Sequence, residues 1–275
     1  MKNEKQVIIS LGGIPILLYC QNQTFLDLVQ ESLRGFVGTA AHPQVKIEIV
    51  IDEQMGEVNP YQCGNPHRTN ITVNSNKAFI RGGVYSGVFD LKTCRAEVTH
   101  GHAIEPLYLF LRALLALYLP SHEGFLIHAA SVEKDGSAFL FAGQPQAGKS
   151  TVARLSHQYR VLTDDFSIVR KCGSRFYCFG SPFWGHVEIK GGNIHADGKG
   201  IPIRSLFLIK QDNTVYIRNV DRNEACVRLL QNILALSRNA AINTEILRIA
   251  DDFSSRVPIK ILHFRRDDSF WKEIR

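Results

Sequence analysis

An uninterrupted phosphate-loop pattern constrains the fold of this chain more than any other feature of its sequence. Residues 143–150 read Gly-Gln-Pro-Gln-Ala-Gly-Lys-Ser, which fits G-x-x-x-x-G-K-[S/T] without a mismatch. The apolar segment "SAFLF" precedes the pattern and is typical of a buried strand, and a helix is predicted after it over 149–158. The pattern therefore predicts a strand, a tight glycine turn and a helix in succession, which is the local structure that holds nucleotide phosphates.

Each fixed position of this loop has a physical role. Backbone N–H groups of the turn point inward at phosphate oxygens, and the glycines permit positive φ and close backbone approach. The Lys149 ammonium is expected to neutralise the β- and γ-phosphates, and the Ser150 hydroxyl to supply an oxygen to Mg²⁺. A chance match in a chain of this length has odds of about one in a hundred, so an ordinary surface turn is the weaker alternative. The expected nucleotide-binding residues are Gly143, Gln144, Pro145, Gln146, Ala147, Gly148, Lys149, Ser150 and Thr151.

An aspartate pair follows the loop at the end of the next predicted strand. The segment "RVLTDDF" (160–166) places Asp164 and Asp165 15 and 16 residues after Lys149, which leaves room for a short helix and a returning strand. Adjacent side chains of a strand point to opposite faces, so one carboxylate is expected to hold Mg²⁺ or its water and the other to meet a substrate. The alternative is a helix cap or a turn, although a cap needs only one Asp.

His128 lies 21 residues before Lys149, on the predicted strand "GFLIHAASV" that precedes the loop strand. The residues "EKDG" between the two strands are typical of a hairpin turn, and pairing across that turn brings His128 towards the phosphate end of the loop strand. A histidine on an apolar strand is also compatible with a purely structural role in the core. Both interpretations stand at this stage.

Together, His128, the loop 143–150, the aspartate pair and "VEIKGG" (187–192) resemble the catalytic domain of bacterial HPr kinase/phosphorylase. The resemblance covers roughly residues 120–265. It implies a P-loop kinase whose fold is shared with phosphoenolpyruvate carboxykinases. Such a kinase phosphorylates a serine on a small protein and can run backwards with inorganic phosphate.

The resemblance also implies roles for individual residues. Lys149 and Ser150 are expected to bind phosphate and Mg²⁺, and His128 to lie beside the phosphates. Asp165 is expected to be the general base that takes the proton from the acceptor hydroxyl. Asp164 is expected to support Asp165 and to serve as a metal ligand.

Two further positions follow from the same resemblance. Glu188 is expected to be a second carboxylate at Mg²⁺. The family also carries a catalytic arginine late in the domain, and Arg238 in "LSRNAA" is similar to the family's Arg-Asn pair. The alternative for Arg238 is a solvated helix end.

The sequence departs from the family pattern at several points. Thr151 stands where the family has Glu, and the loop reads "GQPQAG" rather than a Gly-Asp-Ser-Gly pattern. The segment after Glu188 does not continue as the family's substrate-recognition segment does, and residues 1–105 show no match to the family's N-terminal domain. The chain is therefore expected to be a divergent member, like relatives that phosphorylate ribosomally made peptides or free serine.

The sequence predicts a mixed α/β (α+β) chain with two parts. Residues 1–105 form an N-terminal α+β portion of unassigned role, and residues 106–275 form the HPr-kinase-like P-loop domain. In the first part, "QVIISLGGIPILLYC" (6–20) is typical of a hairpin, Thr24 of a helix cap, and "QVKIEIVID" (44–52) of a strand. In the second, helices are predicted from Pro106 to Pro120, over 221–237 with Asp221 as the cap, and over 243–255. A last strand, "IKILHFRR", follows them.

Composition argues against several classes of function. Lys and Arg exceed Asp and Glu by 32 − 26 = 6 without forming a block, which suits an anionic ligand rather than a nucleic-acid partner. The longest apolar run, 107–119, has 13 residues and contains Arg112, so no membrane span is expected. The six cysteines contain no CxxC, which favours reduced, structural thiols in a cytoplasmic protein over a metal cluster at Cys63 and His67.

The leading hypothesis is a kinase that uses ATP and Mg²⁺ to phosphorylate a serine hydroxyl of a protein or peptide. One alternative is a non-catalytic nucleotide-binding regulator, which needs neither the aspartate pair nor Glu188. The other is a kinase or carboxykinase-like enzyme for a small metabolite, which needs a closed pocket instead of an open groove. The oligomeric state is left open, with a homo-oligomer as one alternative.

Overall fold

The computed structural model describes residues 5–55, 69–185 and 199–274 of the chain. Within these residues the protein has a mixed α/β fold with two mixed β-sheets and five α-helices, in agreement with the predicted α+β class. No helix in the described part combines the length and the apolar character needed to cross a membrane.

The chain divides into two compact units. The first consists of Met1–Tyr118 and Ala235–Asn243, and the second of Leu119–Leu234 and Thr244–Arg275. The predicted division into an N-terminal portion, 1–105, and a P-loop domain, 106–275, stays a prediction.

The first unit is built on one seven-stranded sheet. Its elements are β1 (Gln6–Leu11), β2 (Ile14–Cys20), α1 (Gln23–Ser32), β3 (Val45–Ile51), β4 (Asn70–Asn74), β5 (Lys77–Arg81), β6 (Tyr85–Asp90), β7 (Arg95–His100) and α2 (Glu105–Tyr118). The strand order is β1-β2-β3-β7-β6-β5-β4. Strand β3 runs parallel to both β2 and β7, and the other neighbours are antiparallel.

Local sequence explains the start of this unit. Leu11 pairs with Ile14 across a turn made by Gly12 and Gly13, whose φ values of 63° and 72° favour glycine. The predicted hairpin is therefore confirmed. Strand β3 alternates buried and exposed residues, as its period-two pattern predicts.

The N-cap of α1 differs from the prediction. The Asn22 side chain accepts a hydrogen bond from the backbone N–H of Phe25 at 3.0 Å, so the helix begins at Gln23. The predicted cap, Thr24, is wrong because it already lies in the first turn of the helix. Asparagine is also the stronger N-cap residue of the two.

The second unit carries the phosphate-loop pattern. Its elements are β8 (Gly124–Lys134), β9 (Ser137–Ala142), α3 (Lys149–Leu155), β10 (Arg160–Thr163), β11 (Phe166–Cys172), β12 (Arg175–Phe179), β13 (Ile201–Gln211), β14 (Tyr216–Asn219), α4 (Arg222–Leu230), α5 (Ala240–Arg256) and β15 (Ile259–Phe264). The eight strands form one mixed sheet, and most of α5 belongs to this unit.

Strand β9, which leads into the loop, lies between β8 and β13. It pairs antiparallel with β8 and parallel with β13, and β13 in turn runs parallel to β15. The other long edge of β8 pairs with β10 and β11. The local order β10-β8-β9-β13-β15 thus places the loop between two flanks, one on the β8 side and one on the β13 side.

Tertiary pairing shortens one predicted helix. Asp221 caps α4 by accepting the N–H of Glu224 at 2.9 Å, as predicted, but the helix ends at Leu230 rather than near residue 237. Ile233 instead forms a β-bridge with Ile127 of β8. An apolar helical pattern therefore gives way to strand pairing where a neighbouring edge is available.

Helix α3 packs on a cluster of aromatic side chains. The 3₁₀ turn Asp268–Lys272 supplies Trp271, which donates its indole N–H to Ser156 Oγ at 3.0 Å, directly after the helix. Burial of each large apolar side chain contributes about 1.5–3 kcal/mol, so the C-terminal segment holds the helix in place. The buried cluster includes Phe139, Phe141, Val152, Ala153, Phe207, Phe264, Phe270 and Trp271.

Candidate functional site

The loop between β9 and α3 has the backbone that its sequence predicts. Strand β9 ends at Ala142 and the helix begins at Lys149. Gly148 has φ of 108°, and a Cβ at this position would lie 2.8 Å from the Phe264 ring, so only glycine fits. Gln146 also has a positive φ, 67°. Such turns direct successive N–H groups to one side and bind anions there.

Lys149 is buried in the centre of the loop. Only 7% of the residue is exposed, and its Nζ donates to the carbonyl oxygens of Gly143 at 2.9 Å and Gln144 at 3.3 Å. Burial lowers the pKa of Lys149, and the negative charge of Asp165 opposes that change. The loop therefore encloses a cation that lies within electrostatic reach of one member of the aspartate pair.

His128 lies at the same end of the sheet as the loop. Ala129 of β8 pairs with Ala142 of β9, so the predicted hairpin is confirmed and His128 lies level with the start of the loop. The His128 ring stacks on Phe166 with ring centroids 5.0 Å apart, and its backbone N–H donates to Asn232 O at 2.8 Å. The stacking restrains the orientation of the imidazole, and the backbone bond holds this part of β8 in place.

Strands β10 and β11 both pair with β8, and the aspartate pair lies between them. Thr163 pairs with Ser131 and Phe166 pairs with His128, so β10 and β11 continue each other in register on either side of the pair. Asp164 and Asp165 occupy the break in hydrogen bonding. The break brings the Asp165 side chain beside His128.

The two aspartates have different surroundings. Asp165 Oδ1 lies 3.0 Å from His128 Nε2, and 24% of the Asp165 side chain is exposed. Asp164 is only 1% exposed, and its Oδ1 accepts the backbone N–H of Gly185 at 2.8 Å. Asp165 is therefore the member of the pair that a substrate can reach, while Asp164 also anchors the chain at Gly185.

The predicted metal ligands are only partly visible. Glu188 lies outside the described residues, so its role stays a prediction. Ser150 is the second residue of α3 and is partly buried. Its hydroxyl and the aspartate carboxylates are oxygen donors of the kind that Mg²⁺ prefers. In the described ranges, no three His, Cys, Asp or Glu side chains converge as a metal-binding group.

Two polar residues that sequence reasoning missed lie against the other flank of the loop. Gln211 Nε2 donates to Gln146 O at 3.3 Å, and Arg266 Nε donates to Gln211 Oε1 at 3.0 Å. The sequence indicates only part of this flank, because it predicts the last strand "IKILHFRR", which contains Arg266, but not its pairing with the strand that ends at Gln211.

Arg238, the predicted catalytic arginine, is exposed and lies in the segment Ala235–Asn243 of the first unit, and its role stays a prediction.

Comparison with known proteins gives one family. The family model described as SynChlorMet cassette protein ScmC matches residues 96–275, about two thirds of the chain. The match includes the loop, His128 and the aspartate pair. No curated protein shows significant similarity to the chain.

Proposed function

The chain belongs to the family of SynChlorMet cassette protein ScmC, and we propose that it is an ATP-dependent kinase with an HPr-kinase-like P-loop domain. It transfers the γ-phosphate to a serine hydroxyl of a protein or peptide. Because the family is named as a cassette protein, other proteins of the same cassette are the acceptors to test first.

The contact between Asp165 and His128 is the observation that carries this proposal. A loop that only senses a nucleotide needs no accessible carboxylate at its side. Here Asp165 is partly exposed, is held at 3.0 Å by His128, and acts electrostatically on Lys149 inside the loop. A carboxylate in that position is suited to accept the proton of a hydroxyl that approaches the γ-phosphate.

The proposed transfer accounts for the bond that forms, the bond that breaks and the proton that is released. The serine oxygen forms a bond to the γ-phosphorus while the bond from that phosphorus to the β,γ-bridging oxygen breaks, and ADP leaves. The serine proton passes to Asp165, and the positive charge of Lys149 stabilises the negative charge that develops on the phosphate oxygens. His128 fixes the orientation of the Asp165 carboxylate.

Magnesium fits the donor chemistry of this site. When bound, Mg²⁺ neutralises phosphate charge and orients the triphosphate. Ser150 and Asp164 are the described residues that would hold it, with Glu188 as a further predicted ligand.

Single-turnover phosphotransfer tests the proposal. Candidate proteins and peptides of the cassette, and free serine, are incubated with the enzyme and Mg-ATP, and phosphorylated products are identified by mass spectrometry. Asp165→Asn keeps the shape of the side chain but cannot accept the proton. We therefore expect it to slow transfer about 10²- to 10⁴-fold while ATP binding persists.

Two controls make the test specific. Asp164→Asn separates the two carboxylates, and Lys149→Ala is expected to weaken ATP binding itself. Equal transfer rates for the native protein and both asparagine variants would contradict a general-base role. ATP binding without any phosphorylated product would favour a nucleotide-binding regulator, and phosphorylation of free serine alone would favour a small-metabolite kinase.

A further inference from the structure

Three parallel strands, β9, β13 and β15, run side by side towards the loop, and two of them extend beyond the end of β9. Ala142, the last residue of β9, pairs with Leu208, so β13 continues three residues further to Gln211. Gln211 pairs in turn with Phe264, the last residue of β15. At roughly 3.3 Å per residue, the β13–β15 pair extends about 10 Å past the start of the loop and forms its wall on that side.

The contacts along this wall are specific. Gln211 Nε2 lies 3.1 Å from the Cβ position of Gly148, and it donates to the carbonyl of Gln146, the residue with φ of 67°. Arg266 Nε donates to the other end of the same amide, Gln211 Oε1. Arg266 therefore sets the orientation of the amide, and the amide contacts the loop.

The charge of Arg266 is not neutralised by a carboxylate. Its neighbour Arg265 pairs with Asp267 at 2.5 Å. Arg266 is exposed, and within the described ranges it has no ion pair, so the Nη groups of its guanidinium remain available to an anion. Guanidinium groups bind phosphate through two parallel N–H donors, which makes an exposed arginine beside a phosphate loop a strong ligand.

Each flank of the loop is expected to face a different end of the bound nucleotide. Asp165 and His128 lie on the β8 side, where phosphoryl transfer requires the γ-phosphate. With the β-phosphate in the loop, the α-phosphate and the nucleoside then point towards β13 and β15. We propose that Arg266 binds the α-phosphate of the nucleoside triphosphate from this side and that Gln211 positions its guanidinium. This inference rests on the proposed function.

Binding of Mg-ATP and Mg-ADP, measured by titration calorimetry on the full chain, tests the assignment. Arg266→Ala is expected to weaken both nucleotides about tenfold and to leave the ratio of their dissociation constants unchanged, because the α-phosphate is common to both. Arg266→Lys should lose less affinity, since it keeps the charge without the paired donors. It also replaces the alanine variant if that one fails to fold.

Matched variants separate direct binding from other roles. Arg265→Ala removes the same charge one residue away and is expected to change the affinity for either nucleotide by less than about twofold. If Arg265→Ala weakened binding as much as Arg266→Ala does, the effect would be general electrostatics and the proposal would be overturned. In a Gln211→Ala background, Arg266→Ala must still weaken binding. If it does not, Arg266 acts only through Gln211 and the assignment is wrong.

Three outcomes separate a failure of this inference from a failure of the proposed function. If the native protein binds ATP, Lys149→Ala abolishes that binding, and Arg266→Ala has no effect, only the Arg266 assignment fails. A loss confined to ATP, with ADP binding unchanged, would place Arg266 at the γ-phosphate and also overturn it. If the native protein binds neither nucleotide, both the proposed function and this inference fail.

Discussion

At the scale of single residues, burial disfavours the charged form of two groups in the second unit. Burial lowers the pKa of Lys149, against the opposing charge of Asp165, and it raises the pKa of the Cys178 thiol to about 12. The consequences differ because only Lys149 lies at the loop. A triphosphate bound as proposed would add negative charge beside Nζ and so favour the ammonium, whereas Cys178 is buried within β12.

The raised pKa of Cys178 predicts its reactivity. The thiolate is the reactive species, so folded Cys178 should resist iodoacetamide at pH 8, while Cys172, which is exposed in the same hairpin, should be labelled. Peptide mass spectrometry of labelled protein measures both. The pKa of the unfolded thiol is near 9.0, and the folded thiol has a pKa of about 12. The buried neutral thiol therefore contributes fully to the free energy of unfolding below about pH 9, and that contribution is lost as the pH rises from 9 towards 12. Equal labelling of both cysteines in the folded protein would contradict the buried position.

The sequence could predict one flank of the candidate site but not the other. Residues 143–150 and the aspartate pair are contiguous motifs, so their local chemistry is visible without a structure. Gln211 and Arg266 are separated by 55 positions and meet only because β13 and β15 are parallel neighbours. Non-local pairing of this kind leaves no local pattern, and even the predicted end of the last strand lies two residues beyond its actual end.

At the scale of elements, the turn into α3 provides a prediction about Gly148. Alanine at this position keeps a φ of 108°, which costs about 1–2 kcal/mol for an L-residue, and its Cβ would also overlap the Phe264 ring, at 2.8 Å. We expect Gly148→Ala to lower the unfolding free energy by more than about 2 kcal/mol and to weaken ATP binding. Urea denaturation and calorimetry measure the two effects.

Gly136 offers the matched control for this substitution. It has a φ of 71° in the turn between β8 and β9, and a Cβ there would meet nothing within 4 Å. Gly136→Ala should therefore lose only the conformational term of about 1–2 kcal/mol and keep ATP affinity. If both variants lost the same stability and neither affected ATP, packing of the loop against β15 would have no role.

Element boundaries show where local pattern stops being sufficient. The hairpin of β1 and β2 and the capped start of α4 follow from turn and cap residues, and the structure confirms them. The end of α4 does not, because Leu234 N–H bonds to Leu126 O of β8 at 2.9 Å and takes the chain out of the helix. A helix end that is set by a distant strand edge has no signal in the neighbouring residues.

At the scale of the whole molecule, the phosphate loop, His128, the aspartate pair, Gln211 and Arg266 all belong to the second unit. Its core is also its own, since the cluster under α3 draws all its members from within Leu119–Leu234 and Thr244–Arg275. A domain of about 150 residues can bury roughly 68–70% of the surface that its unfolded form exposes, so we expect the second unit to fold without the first. We also expect the proposed nucleotide binding to be independent of the first unit.

A fragment of residues 119–275 should therefore fold and bind Mg-ATP with an affinity within about threefold of the full chain, a difference of less than ~1 kcal/mol. It keeps His128, the loop, the aspartate pair and both β13 and β15, and it begins where α2 has ended. Circular dichroism and calorimetry measure folding and affinity, with Lys149→Ala in the same fragment as the control for specific binding. A folded fragment that binds no nucleotide would show that the first unit contributes to the site. A fragment that binds ATP but no longer phosphorylates its acceptor would assign acceptor recognition to the first unit.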